Sequence, residues 1–226
     1  MAPIENRTAV VFTCEGIRNV DREAVDVFGM QSVVLMENAA IGATSIIKKQ
    51  YNDSDLANIV IACGSGNNGG DGYAIARLLH NHSHRVHIAV VSEPTSRDTA
   101  HNAEIVKKMH IPTVSWSYAL FNDATLIVDA IFGTGLRREV VDPQKTIIDS
   151  MNSSPAPVVA IDIPSGLDSD TGQPLGTAAR ASLTITFVGL KQGFLLKPAS
   201  EYLGNIEVVA IGCPQSLIKK YAIANT

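Results

Sequence analysis

Residues 63 to 72 read Cys-Gly-Ser-Gly-Asn-Asn-Gly-Gly-Asp-Gly, between an apolar run (Asn58 to Ala62) and a helix-like segment from Tyr73 to Leu79. Gly64, Gly66, Gly69 and Gly70 give such a turn the freedom to bend sharply and approach a ligand, and the first helical turn offers unpaired N–H groups to phosphate. Asn67, Asn68 and Asp71 add more than a phosphate cradle needs, since carboxamides and a carboxylate direct contacts to a polar ligand or a hard cation. Three further positions have reactive types at apolar strand ends. Asp129 sits in Leu126 to Phe132, followed by Gly133-Thr134-Gly135; Asp162 ends Val158 to Asp162, followed by Ile163-Pro164-Ser165-Gly166; Lys191 follows Thr184 to Leu190. A carboxylate in an apolar strand is costly unless paired, and an acid beside an ammonium group supplies the two partners of proton transfer.

The elements that must position these groups are legible as period. Short runs rich in Val, Ile and Ala near 57–63, 85–91, 112–116, 125–132, 157–163, 181–189 and 205–211 predict buried strands. Helical spacing recurs near 20–28, 32–50, 71–82, 96–109 and 142–151, the last opened by Asp142-Pro143 at the N-cap and first-turn positions. Strands apolar on both faces, alternating with helices, predict an α/β fold: a three-layer αβα sandwich on a mainly parallel, doubly wound sheet. The last two strands extend one sheet edge. Ligands of such sheets bind outside the carboxyl ends of the strands, so four strand ends are expected to converge on one cleft.

With 226 residues and 46% hydrophobic composition, the chain suits one domain spanning 1–226. A formal net charge of −4, with no long like-charge block, disfavours nucleic acid and anionic membranes as partners. The three cysteines, Cys14, Cys63 and Cys213, show neither disulfide nor zinc spacing, and no signal or membrane-spanning run is evident. A soluble, cytoplasmic protein is expected.

Each feature has a plainer reading. Gly64 to Gly69 also fits the dinucleotide fingerprint, with Glu93 near the next strand end as a ribose-binding acid, which would suit an oxidoreductase. Asp129 or Asp162 alone could cap the turn that follows it, and Lys191 could be an ordinary solvated lysine. His80, His82, His84 and His87 alternate without acidic or cysteine companions, a poor metal pattern. Leu35 to Ala40 reads as a packing face, with Glu37 and Asn38 positioned to face a pocket.

Taken together, the chain resembles the NAD(P)H-hydrate epimerase family, also described as the YjeF N-terminal domain. The similarity lies in Val20 to Asp26, Leu35 to Ala39, Gly64 to Gly72, Val128 to Gly135, Ala160 to Gly166 and Thr184 to Gly193, and spans roughly residues 15 to 213. The Asn-Asn-Gly-Gly-Asp-Gly and Ile-Pro-Ser-Gly blocks, in that order, are far more specific than a lone glycine motif. The resemblance implies a Rossmann-like fold, commonly homodimeric, that interconverts the R and S forms of hydrated NADH and NADPH.

By the same resemblance, Asn67, Asn68, Gly69, Gly70 and Asp71 bind substrate. So do Gly133, Thr134, Gly135, Leu136, Arg137, Arg138 and Glu139, with Asp162 at the reacting ring. Asn68, Asp129 and Ser165 would hold one potassium ion (K+) per subunit, consistent with hard oxygen ligands drawn from three loops. Asp162 is the expected principal acid-base group and Lys191 its partner or electrostatic tuner. Related chains often continue into a dehydratase, so a chain ending at Thr226 is expected to cooperate with a separate NAD(P)H-hydrate dehydratase. The competing classes are a nucleotide-dependent oxidoreductase and a non-catalytic dimerising scaffold.

Overall fold

The computed structural model describes residues 10–223. β1 (Val11–Phe12) leads into α1 (Cys14–Asp26) and α2 (Ser32–Gln50). Strand and helix then alternate through β2 (Ile59–Cys63), α3 (Asn67–Asn81), β3 (Val86–Val90), α4 (Arg97–Lys108), β4 (Thr113–Ser115), α5 (Tyr118–Asn122), β5 (Leu126–Ala130), α6 (Gln144–Ser153) and β6 (Val158–Ile161). β7 (Leu183–Phe187), β8 (Leu190–Lys191), two 3-10 turns, β9 (Asn205–Val209) and α7 (Gln215–Tyr221) complete the described elements.

Seven strands form one parallel sheet in the order β4-β3-β2-β5-β6-β7-β9. Every residue of β2, β5, β6 and β7 is buried, as a sheet covered on both faces requires. One apolar cluster packs α2, α3 and α4 on one face through Ala39, Ile47, Ala74, Leu79 and Val106. The other packs α5 and α6 through Phe121, Ile147 and Met151. The architecture is therefore the doubly wound αβα sandwich, and all seven expected strands are present.

The strand order fixes where a crevice forms. From β2 the chain moves outward through β3 and β4, then returns to the other side of β2 with β5 and continues through β6, β7 and β9. The loops leaving β2 and β5 therefore run in opposite directions, and a gap opens between them at the carboxyl end of the sheet.

Element boundaries differ from the periodic reading in instructive places. α1 begins at Cys14 instead of residue 20, because Thr13 Oγ1 caps it by accepting the Gly16 N–H. α3 begins at Asn67, so the carboxamides and Asp71 lie in its opening turns instead of in a preceding loop. Pro143 takes the cap position of α6 and Asp142 Oδ1 accepts the Thr146 N–H, one residue later than expected. β1 pairs with β8 in a small separate ladder that carries Lys191 opposite Phe12. Among the described residues, no helix is long and apolar enough to cross a membrane.

Candidate active site

A cleft of about 710 Å³ lies at the switch point between β2 and β5, within the range of small-molecule sites. The β2–α3 turn lines it with Gly66, Asn67, Asn68 and Asp71, the loop after β5 with Gly133 to Arg138, and the end of β6 with Asp162. One wall is α1, whose Ile17, Arg18, Asp21 and Val25 face the cavity at helical spacing. The wall is tied down: Cys14 N–H donates to Asp170 Oδ1 at 2.7 Å, Cys14 Sγ to Thr134 O at 3.0 Å, and Arg18 to Gly135 O at 3.3 Å.

Asp162 is held by two devices. Its φ of 66° is left-handed, and the Ile163 N–H closes a three-residue turn on Ile161 O at 2.8 Å. Such a turn is strained for a non-glycine residue and turns the side chain out of the strand direction. Its carboxylate then receives the Lys191 ammonium at 2.6 Å and the Thr134 N–H at 3.3 Å. Val188, at the end of β7 and also lining the cleft, repeats the device with φ 68° and a Gly189 N–H to Phe187 O bond of 2.8 Å. Two neighbouring strand ends thus carry the same strained turn toward one cavity.

Lys191 does not touch the cleft. It is 0% exposed, and its three ammonium protons go to Asp162, Thr186 Oγ1 at 2.7 Å and Phe187 O at 3.1 Å. Neither the solvated lysine nor a lysine that trades protons with a ligand matches this geometry. Its position suits the holding and orientation of Asp162.

Asp129 is fully buried behind the cleft. Ser165 donates to it twice, through N–H at 2.8 Å and Oγ at 2.5 Å, and the Ile131 N–H at 3.3 Å adds a third bond. Burial outweighs these donors and raises its carboxyl from 3.8 to about 6. Ser165 Oγ also accepts the Phe132 N–H at 2.8 Å, which ties the β5 and β6 loops together. Asn68 is buried with neither side-chain oxygen nor nitrogen hydrogen-bonded, although it lines the cavity. A buried carboxamide with both ends unpaired implies a ligand or ion as its partner.

The structure places several residues singled out in the sequence away from the cavity lining. Gly69 and Gly70 do not line the cleft: a Cβ on Gly69 would lie 1.9 Å from Gly64 O, and one on Gly70 2.6 Å from Met36. Gly64 likewise sits against Ile131 O, so Gly64 and Gly69 let protein backbone approach protein backbone, while Gly70 makes room for the Met36 and Thr99 side chains; of the glycines in the cleft-forming turns, Gly66 and Gly135 have open space. Glu139 lies outside the cleft with its side chain against Gly176. Glu93, the ribose-binding candidate, is likewise absent from the lining. Glu37 pairs with Arg77, and Asn38 donates to Ile211 O at 2.9 Å, so both are tethers of α2. Among the described residues, no group of three or more His, Cys, Asp or Glu side chains is arranged as a metal site.

The sequence reading assigned nothing to Arg18 or Asp21. Asp21 stands in the cleft with its carboxyl raised from 3.8 to about 6, first by the protein enclosing it and second by the Asp162 charge. Burial, then the charges of Asp162 and Asp21, holds the Asp71 carboxyl well above the usual range. Arg18, Arg137 and Arg138 also line the cleft, so cations accompany its four acids, Asp21, Asp71, Asp98 and Asp162. The nearest signal was Val20 to Asp26, where an acid on a helix face looks no different from a solvated one.

A parallel doubly wound sheet with a mainly apolar cleft at its switch point, set with a few acids and arginines, defines a ligand-binding α/β protein of the three-layer class. The model of the family described as YjeF-related protein N-terminus matches residues 32–193, and the chain belongs to that family. It is 40% identical over 203 residues to an NAD(P)H-hydrate epimerase of Limosilactobacillus reuteri, covering 89% of this chain and 95% of the relative. A protein of the same name from Lentilactobacillus buchneri is 43% identical over 202 residues, covering 88% and 93%. A bifunctional NAD(P)H-hydrate repair enzyme of Salinibacter ruber is 34% identical, covering 94% of this chain and 42% of the relative. A yeast protein of known crystal structure shares the fold at TM-score 0.79 and 20% identity, covering 96% and 95% of the two chains.

Proposed function

We propose that the protein is an isomerase that inverts the hydrated carbon of NADHX and NADPHX, interconverting their R and S forms. The observation that carries this reading is Asp162, presented to a nucleotide-sized cleft by a strained turn and held there by Lys191. Its relatives at 40% and 43% identity bear the name of that activity.

The chemistry asks for modest means. The reacting carbon bears a ring nitrogen and a hydroxyl, so its configuration inverts if the hydroxyl leaves, a planar iminium forms, and water returns to the other face. One group must protonate the departing oxygen and another must take a proton from the incoming water. Asp162, facing the cavity with its carboxylate oriented by the Lys191 ammonium and the Thr134 N–H, is placed to accept. The opening turn of α3, with Asn67 and Asn68, and Arg18, Arg137 and Arg138 offer N–H donors and positive charge to the pyrophosphate.

A potassium ion fits the buried polar groups behind this cleft. Asn68 Oδ1 lacks a partner, and Asp129 and Ser165 supply a carboxylate and a hydroxyl, the hard donors an alkali cation takes. Bound there, it would supply positive charge and fix the loops after β2, β5 and β6. We further propose a homodimer that works beside a separate NAD(P)H-hydrate dehydratase; the Salinibacter ruber relative, named a bifunctional NAD(P)H-hydrate repair enzyme, is more than twice as long as the part this chain covers.

The deciding experiment mixes both epimers of NADHX with an S-specific dehydratase. With this protein added, the R form should disappear as well as the S form. Persistence of the R form would refute the reading.

A further inference from the structure

Inversion by loss and return of water needs two proton-transfer groups, and the sequence supplied Lys191 as the natural partner of Asp162. The geometry removes it. Lys191 is sealed behind Asp162 with every ammonium proton committed, and it has no surface in the cavity. The second group must line the cleft, come from an element other than β6, and reach water so that it can be reset after each turnover.

Asp21 meets all three conditions, and unlike Asp98 of α4, which also lines the cleft, it stands close enough to Asp162 for their charges to act on each other. It projects from α1, the wall pinned to Thr134 and Gly135, and it is exposed within the cavity, unlike Asp71, which is only 9% exposed. The independent mark of a ligand beside it is Asn68, a buried carboxamide lining the same cleft with both ends unpaired. Resting on the epimerase reading above, we propose that Asp21 is the second proton-transfer residue of the cleft, protonating the departing hydroxyl while Asp162 deprotonates the incoming water.

The step balances. Asp21 gives its proton to the hydroxyl as the carbon–oxygen bond breaks and its electron pair leaves with water; the ring-nitrogen lone pair forms the iminium double bond. A water oxygen then bonds to the other face, the double-bond pair returns to nitrogen, and the water proton passes to Asp162. One inversion therefore moves a proton from Asp21 to Asp162, and the reverse inversion moves it back. The charged and titratable groups around Asp21 are Arg18 and Arg22 on its own helix, Asp71 on α3, Asp162 after β6, Lys191 on β8 and the Cys213 thiol before α7. Its carboxyl, raised to about 6, places proton donation within reach of neutral pH.

The test follows the two NADHX epimers by chromatography in water labelled with heavy oxygen, using the whole chain as wild type, Asp21→Asn and Asp21→Glu. Wild type should equilibrate the epimers and incorporate the label, with a rate that declines as pH rises past about 6. Asp21→Asn should lose about 10²- to 10⁴-fold in kcat with KM little changed, and should lose that decline. Asp21→Glu should retain measurable turnover with the decline displaced, and it carries the test if the Asn variant melts early. Wild-type kcat and pH profile in Asp21→Asn, a rise in KM alone, or inversion by wild type without label uptake would overturn the assignment. Absence of equilibration by wild type would instead overturn the epimerase reading, and this assignment with it.

Discussion

Asp162 and Lys191 form a pair in which the two members have different surroundings. Lys191 is wholly buried, while the Asp162 side chain keeps 15% of its surface toward the cavity. Removing one member of such a pair strands the other, at a cost of about 3–5 kcal/mol for a buried pair. Lys191→Met should therefore destabilise the protein by about 3 kcal/mol, near the lower end because cleft water can solvate Asp162. Adding Asp162→Asn should recover part of that loss, as chemical denaturation of both variants would report. Asp162→Asn also tests catalysis more cleanly than Asp162→Ala, since its amide oxygen still accepts from Lys191; a loss of about 10²-fold or more in turnover is expected from epimer chromatography. Asp21 gives the opposite sign for stability. Its folded pKa lies above its unfolded value, so its contribution is fully present below about pH 4 and lost as pH rises through about 6. Asp21→Asn should thus melt higher than wild type near pH 7.5, by about 2–4 °C for each kcal/mol recovered, with the difference closing near pH 4. This residue was invisible in sequence, because a helical acid that faces a cavity and one that faces bulk water share the same pattern.

The turn from β2 into α3 shows what a motif does and does not disclose. Its position between an apolar run and a helix was readable, and so was its role at a strand end. Its glycines were readable only as permission for close approach; which partner approaches is a tertiary fact. In the fold the partner of Gly69 is the carbonyl of Gly64, whereas Gly66 faces open space. Gly69→Ala should accordingly destabilise by roughly 2–4 kcal/mol, since both colliding groups are backbone and cannot rotate away. Gly66→Ala, at an ordinary φ of −88°, should leave the melting temperature unchanged or slightly raised. Differential scanning calorimetry of the two variants makes the comparison directly. Elements missed in sequence were the shortest ones: α5 spans 5 residues and α7 spans 7, too few to establish a period, and β1 and β8 have 2 residues each. Lys191 belongs to one of these, which is why its burial could not be foreseen.

Across the whole molecule, the site is a consequence of strand order. Apolar runs disclosed seven strands, but the placement of β5 beside β2 rests on long-range pairing. That pairing brings the segments carrying Asn68, Asp129 and Ser165 into contact: Gly133 lies against Asn68, while Phe132 bonds Ser165, which bonds Asp129. The proposed ion, held by three segments that meet only in the folded chain, would bind the native state and not the unfolded one. Linkage would then raise stability by RT ln(1 + [K+]/Kd), about 2.7 kcal/mol at one hundred times Kd. Wild type should therefore melt several degrees higher in potassium chloride than in choline chloride of equal ionic strength, and lithium should substitute poorly because a site sized for potassium leaves it under-coordinated. Asn68→Ala should lose the increment while retaining the baseline melting temperature in choline, since the side chain has no protein partner to forfeit. Equal melting in the two salts would leave the unpaired carboxamide to the nucleotide instead, and the epimerisation rate measured in the same pair of salts would then be the same.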